Sequence, residues 1–151
     1  MSTSAVCPVR SPRPGSVEPS ALGLIDQARR GLRDAAAIEA PAERYAAAHL
    51  AALRAAAAVL AARATASDPR LRRRRPTSAW VLLTGVAPEL AEWAAFFAAG
   101  AGKRAAAEAG VVRAVTRREA DDLVRDVASF LAVVETTLGL LPAPETRAVA
   151  G

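Results

Sequence analysis

Few side chains among these 151 residues can do acid–base or nucleophilic chemistry. There is one histidine, His49, and one cysteine, Cys7. A zinc site, a Ser-His-Asp triad or a Cys-His dyad needs partners at defined positions, and the chain has no H-E-x-x-H and no C-x-x-C. Neither a metal nor a cofactor is called for. Gly102-Lys103-Arg104 ends like a phosphate loop, but Phe97 stands where the first glycine of G-x-x-x-x-G-K-[ST] belongs and Arg104 replaces the Ser/Thr, so that motif is rejected. Asp121, Asp122 and Asp126 interleave with Arg117, Arg118 and Arg125 at three- and four-residue spacing, which predicts a solvated, salt-bridged face rather than a metal site. What remains is Glu43-Arg44-Tyr45-Ala46-Ala47-Ala48-His49. An imidazole with a pKa near 6.5 exchanges protons around neutral pH, and a guanidinium is a permanent cation that can steady a developing anion.

The same two residues also have structural readings. Tyr45, His49 and Leu53 recur at four-residue spacing on one stripe that includes Leu60, where a histidine serves as a hydrogen-bonded, partly buried group at a helix contact. Arg44 near a helix start is commonly a solvated side chain, with Glu43 beside it favoured by the helix dipole. Trp80, Trp93, Phe96 and Phe97 read as core or interface aromatics before stacking platforms.

The elements that must position these groups are helices. Leu22, Ile25, Arg29, Leu32 and Ala36 recur at helical spacing behind Ser20, a plausible N-cap, predicting a first helix over 20–38. Pro41 opens a longer one, free of further Pro or Gly, over 41–66. The stretch 67–76, with Asp68-Pro69 and the arginines that follow, reads as an exposed loop. A short apolar helix is predicted over 77–83, ended by Gly85, and a further helix starts at Pro88. Gly100 and Gly102 each weaken that helix by about 1 kcal/mol relative to Ala, so a kink or break is expected near 100–102. Thr116 and Glu119 form a T-x-x-E capping box for a last helix, whose stripe of Ala120, Leu123, Val127, Phe130, Val134 and Leu138 ends at Gly139. The expected architecture is an all-α, up-and-down bundle of four long helices and one short one over 19–140, with disordered tails at 1–18 and 141–151.

Composition limits what such a bundle can be. Forty alanines inflate the apolar fraction without adding much core volume, leaving a modest core and a physical motive for self-association; a homodimer is expected. The net charge of +5 equals the charge of Arg70, Arg72, Arg73, Arg74 and Arg75, so the basic character belongs to one loop. That run is read either as a sequence-independent phosphate contact or as a solvated linker. No apolar run matches a secretory signal, and the apolar stretches fall short of the ~18 uninterrupted residues of a membrane span, so a soluble, cytoplasmic protein without a membrane partner is expected. A helix-turn-helix DNA regulator is disfavoured, because no two helices joined by a three- or four-residue turn carry a suitable basic surface.

The run RYAAAHLAALRAAAAVL, with four residues between Arg44 and His49, resembles the second helix of the HEPN superfamily, whose helical-bundle members often carry R-x(4–6)-H. Its Ala/Arg-rich style is similar to short stand-alone actinobacterial members. The resemblance implies a dimer in which two Arg/His pairs meet across a two-fold axis and cut RNA without metal. Arg44 would steady the phosphorane and His49 would trade the 2′-hydroxyl proton. Apart from the resemblance, Tyr45 and Arg70, Arg72, Arg73, Arg74 and Arg75 are the candidate binding residues. The resemblance equally implies non-catalytic relatives that bind nucleotides, RNA or a partner nucleotidyltransferase.

Overall fold

The computed structural model describes residues 19–63 and 78–140, which are all-α with no strand among them. The tails at 1–18 and 141–151, Cys7, residues 64–66 and the loop carrying Arg70, Arg72, Arg73, Arg74 and Arg75 lie outside the described residues.

Helix α1 spans Pro19–Ala37 and α2 spans Pro41–Arg63. A short α3 covers Ala79–Val86, then a 3-10 turn at Pro88–Leu90 leads into α4 (Ala91–Ala99) and α5 (Ala101–Glu108). After a second 3-10 turn at Val112–Ala114, α6 runs over Arg117–Thr137. The break expected near 100–102 falls at Gly100, which divides the third of the expected long helices into α4 and α5. α3 differs from expectation in its end: Gly85 lies inside the helix, which closes one residue later with the Ala87 N–H donating to the Leu83 carbonyl. Its start is set by Ser78, whose hydroxyl accepts from the Trp80 N–H.

Direction follows from cross-helix pairs. The three-residue connection between α1 and α2 makes them antiparallel, and Gly31 lies against Ala51 and Arg54. Arg44, near the start of α2, reaches Asp121 near the start of α6, whereas Arg29 in mid-α1 reaches Glu135 near the end of α6 at 2.8 Å. α6 therefore runs against α1 and in the same direction as α2. With α4–α5 returning past His49 and then Tyr45, the order is up, down, up, down.

α2 is the centre of the bundle and packs on α1, α3, α5 and α6. It is buried on several sides at once, at Ala48, Ala51, Ala52, Ala55, Ala56, Ala58 and Val59, so its alanines let neighbours approach closely instead of forming one narrow stripe. Among the described residues, this helix alone is long and apolar enough to cross a membrane by length and composition, and half of that apolar window is buried inside the bundle. Large side chains from the surrounding helices supply the volume that α2 lacks: Ile25, Leu83, Leu90, Phe97, Val127, Phe130 and Val134 are fully enclosed.

Candidate functional site

Arg44 and His49 occupy different sides of one continuous helix. Five residues on an unbroken α-helix turn a side chain by about 140° and advance it by about 7.5 Å, and α2 shows no break between Pro41 and Arg63. The Arg44 side chain, only 12% exposed, donates from Nε to the Ile38 carbonyl at 2.8 Å and from Nη1 to the Asp121 carboxylate. It thus donates to a carbonyl just past the end of α1 and links that end to α6. His49 points into the core and is 1% exposed. Within the protomer the two groups do not face a common space.

The surroundings of His49 settle its chemical state. Its Nε2 lies 3.2 Å from the Phe97 carbonyl oxygen, so Nε2 carries the hydrogen and donates. Nδ1 is then a lone-pair acceptor, buried and without a hydrogen-bond partner among the described residues. The ring meets Trp80 and Phe97 edge-on, each at 5.9 Å between centroids. Burial lowers the imidazole pKa, the Phe97 hydrogen bond opposes that shift, and the nearby Arg104 charge adds to it. The neutral ring is favoured at pH 7.

Around this ring the aromatics form a single cluster. Trp80 of α3 stacks on Phe97 of α4 at 4.9 Å, and Phe97 meets Phe130 of α6 at 5.0 Å. Trp93 also stacks on Phe97, at 6.1 Å, and lies tilted against Phe130 at 5.5 Å. Trp80 and Phe97 are core residues, while Phe96, one position along, is 46% exposed.

Beside His49 lies a cleft of about 260 Å³, lined by Tyr45, Phe96, Phe97, Gly100, Lys103 and His49 itself, with Ala99 and Leu123 completing the wall. Tyr45 is 7% exposed, and its hydroxyl sits so close to Gly100 that a Cβ there would come within 2.9 Å of it. Glycine at 100 is required by this approach and not by its backbone, whose φ is −82°. Burial raises the Tyr45 phenol pKa; Lys103 acts against that shift and Glu119 with it, which places both charges near the hydroxyl. Lys103 pairs with Glu119 at 2.9 Å. Glu119 also accepts from the Thr116 N–H at 3.0 Å, so one carboxylate serves the cleft and the cap of α6.

The structure brings Tyr45 and His49 to one cleft and leaves Arg44 outside it, while the Arg70–Arg75 region lies outside the described residues. Gly100, Lys103 and Arg104 are the residues that sequence reasoning missed as neighbours of His49. Gly100 was singled out only as a helix break, and Lys103 and Arg104 only in Gly102-Lys103-Arg104, a phosphate-loop pattern that the chain does not complete. The acidic triplet divides by role: Asp122 pairs with Arg125 and Arg118 on its own helix, and Asp121 crosses to Arg44. No group of three or more metal-ligating side chains occurs among the described residues.

A family model described as HEPN_SAV_6107-like HEPN matches residues 35–135, about two thirds of the chain. The match runs from the last turn of α1 to the last turn of α6 and includes every residue lining the cleft. No curated protein and no solved structure matches the chain.

Proposed function

The chain belongs to the SAV_6107-like HEPN family, and from that premise we propose that it is a non-cleaving helical binding module, which self-associates and pairs with another protein, such as a nucleotidyltransferase. One observation carries this reading over a ribonuclease: Arg44 and His49 are each committed to internal contacts. Arg44 holds Ile38 and Asp121, and His49 is enclosed between Trp80 and Phe97 with its Nε2–H donated to a backbone carbonyl. A general acid or base must come within hydrogen-bond reach of the proton it moves, and a ring 1% exposed reaches none in solution.

Incubation of the pure full-length protein with RNA in EDTA is expected to release no fragments. Cleavage by the wild-type protein that disappears in both Arg44→Ala and His49→Ala would defeat the proposal and restore the ribonuclease. In sedimentation equilibrium the module is expected at twice the monomer mass; a monomer at micromolar concentration removes the self-association.

A further inference from the structure

One side of α2 is left open by its neighbours. Each residue of an α-helix turns the side chain by about 100°, so Ala46, Leu50, Leu53, Ala57 and Ala61, three or four apart, fall within about 80° of one another. α1 lies against Ala51 and Arg54, α6 meets Arg44, and Trp80 and the Phe97 carbonyl meet His49, which occupies the other sides. None of the five is buried: Leu50 is 44% exposed and the rest are half-buried, whereas Ala48, His49, Ala51 and Ala52 are enclosed. A single exposed leucine is ordinary, but a continuous apolar row marks a contact surface. Glu43 and Arg54 border the row, and neither has an ion-pair partner among the described residues. Gly31 makes room for Arg54 at this edge, since a Cβ on Gly31 would come within 3.2 Å of the Arg54 Nη1.

We propose that this row is where the chain meets a second copy of itself, α2 lying antiparallel against α2 across a two-fold axis. The inference rests on the self-association proposed above and names its face. Charge selects a second copy as the occupant. An axis midway between Glu43 and Arg54, at the level of Ala48 and His49, sets Glu43 of each copy opposite Arg54 of the other, so the symmetry matches both unpaired charges twice. Any other partner would have to present a base and an acid in that same reversed order and spacing. Shape agrees with charge: about this axis each Leu50 drops between Ala46 and Leu50 of the other copy, large against small, as a knob enters a hole. Arg44 and His49 point about 120° and about 100° away from Leu50. A dimer on this face is therefore held without either of them, and each keeps its internal contacts.

Sedimentation equilibrium of the full chain tests the face, run on the wild type, Leu50→Glu, Glu43→Arg, Arg54→Glu and the double exchange of Glu43→Arg with Arg54→Glu. Leu50→Glu is expected to weaken the dimer on the order of a hundredfold, because it places two carboxylates beside the axis. Each single charge reversal turns two ion pairs into like-charge contacts and is expected to weaken it about tenfold; the double exchange restores it to within about threefold of the wild type. Leu50 and Glu43 are exposed and Arg54 is half-buried at the edge, so the variants are expected to keep their helix content by circular dichroism. A dimer that survives Leu50→Glu overturns this face and leaves the self-association standing. A dimer broken by Leu50→Glu whose single charge reversals are not repaired by the double exchange overturns the antiparallel second copy as the occupant. A wild-type monomer overturns both this inference and the self-association beneath it.

Discussion

His49 gives the bundle a pH dependence whose sign follows from its burial. The folded pKa is lowered, by desolvation first, from an ordinary value near 6.5. Below pH 6.5 the unfolded chain therefore binds more protons at this position than the folded one. The stabilising contribution is complete above 6.5 and is lost as pH falls through the lower folded value. Urea denaturation is expected to show a midpoint that drops between pH 7.5 and 5.5, with a shallower drop in His49→Leu. An equal slope in both proteins would mean that His49 is not the titrating group. Glu89 and Glu119, whose pKa values are also lowered, by their bonds to Arg63 and Lys103, act at more acidic pH. Arg44 is a different case, since its value lies in what it holds together. Arg44→Ala is expected to cost about 1–2 kcal/mol by leaving the Ile38 carbonyl and Asp121 without their donor. Asp121→Asn, at a position 44% exposed, costs under about 1 kcal/mol because solvent screens the pair. A reversed order in chemical denaturation would place the stabilisation in the ion pair instead of the carbonyl bond.

At the scale of the helices, ends were more legible than interiors. Thr116 and Glu119 announced the start of α6, and both capping-box bonds are present, Glu119 N–H to Thr116 Oγ1 at 3.1 Å and Thr116 N–H to Glu119 Oε2 at 3.0 Å. Thr116→Ala is expected to lower stability by about 1 kcal/mol in thermal or urea unfolding; no change would mean that tertiary contacts alone hold this end. Gly139 closes the same helix with φ +74°, its N–H donating to Thr136 and that of Leu140 to Glu135, a pattern repeated at Gly110 with φ +82°. These local rules depend on residues three or four apart, so the chain displays them directly. Gly85 misled for the same reason: glycine often ends a helix, but Trp80 and Leu83 are buried on the neighbours and hold α3 together through it. Gly100 was legible as a break, whereas its contact with Tyr45, fifty-five positions away in the chain, was not.

The whole molecule distributes its core unevenly. α2 contributes mostly alanine, and the aromatic cluster on α3, α4 and α6 fills the remaining volume around His49. Phe97 touches Trp80, Trp93, Phe96, Phe130 and His49, so Phe97→Ala is expected to destabilise the fold by about 3–5 kcal/mol. A loss under about 1 kcal/mol would show that the cluster collapses around the gap. The all-α class, the helix spacing and the kinship are legible in the chain alone, because amphipathic periodicity, caps and the Arg44–His49 spacing are properties of short stretches. What those residues face was set by the packing of the helices. Arg44 turned to α6, His49 turned inward under Phe97, and Lys103 arrived beside it from a helix more than fifty residues further along. Which side of a central, alanine-rich helix meets which neighbour is set by the packing of all its partners together, and no single stretch of chain carries that information.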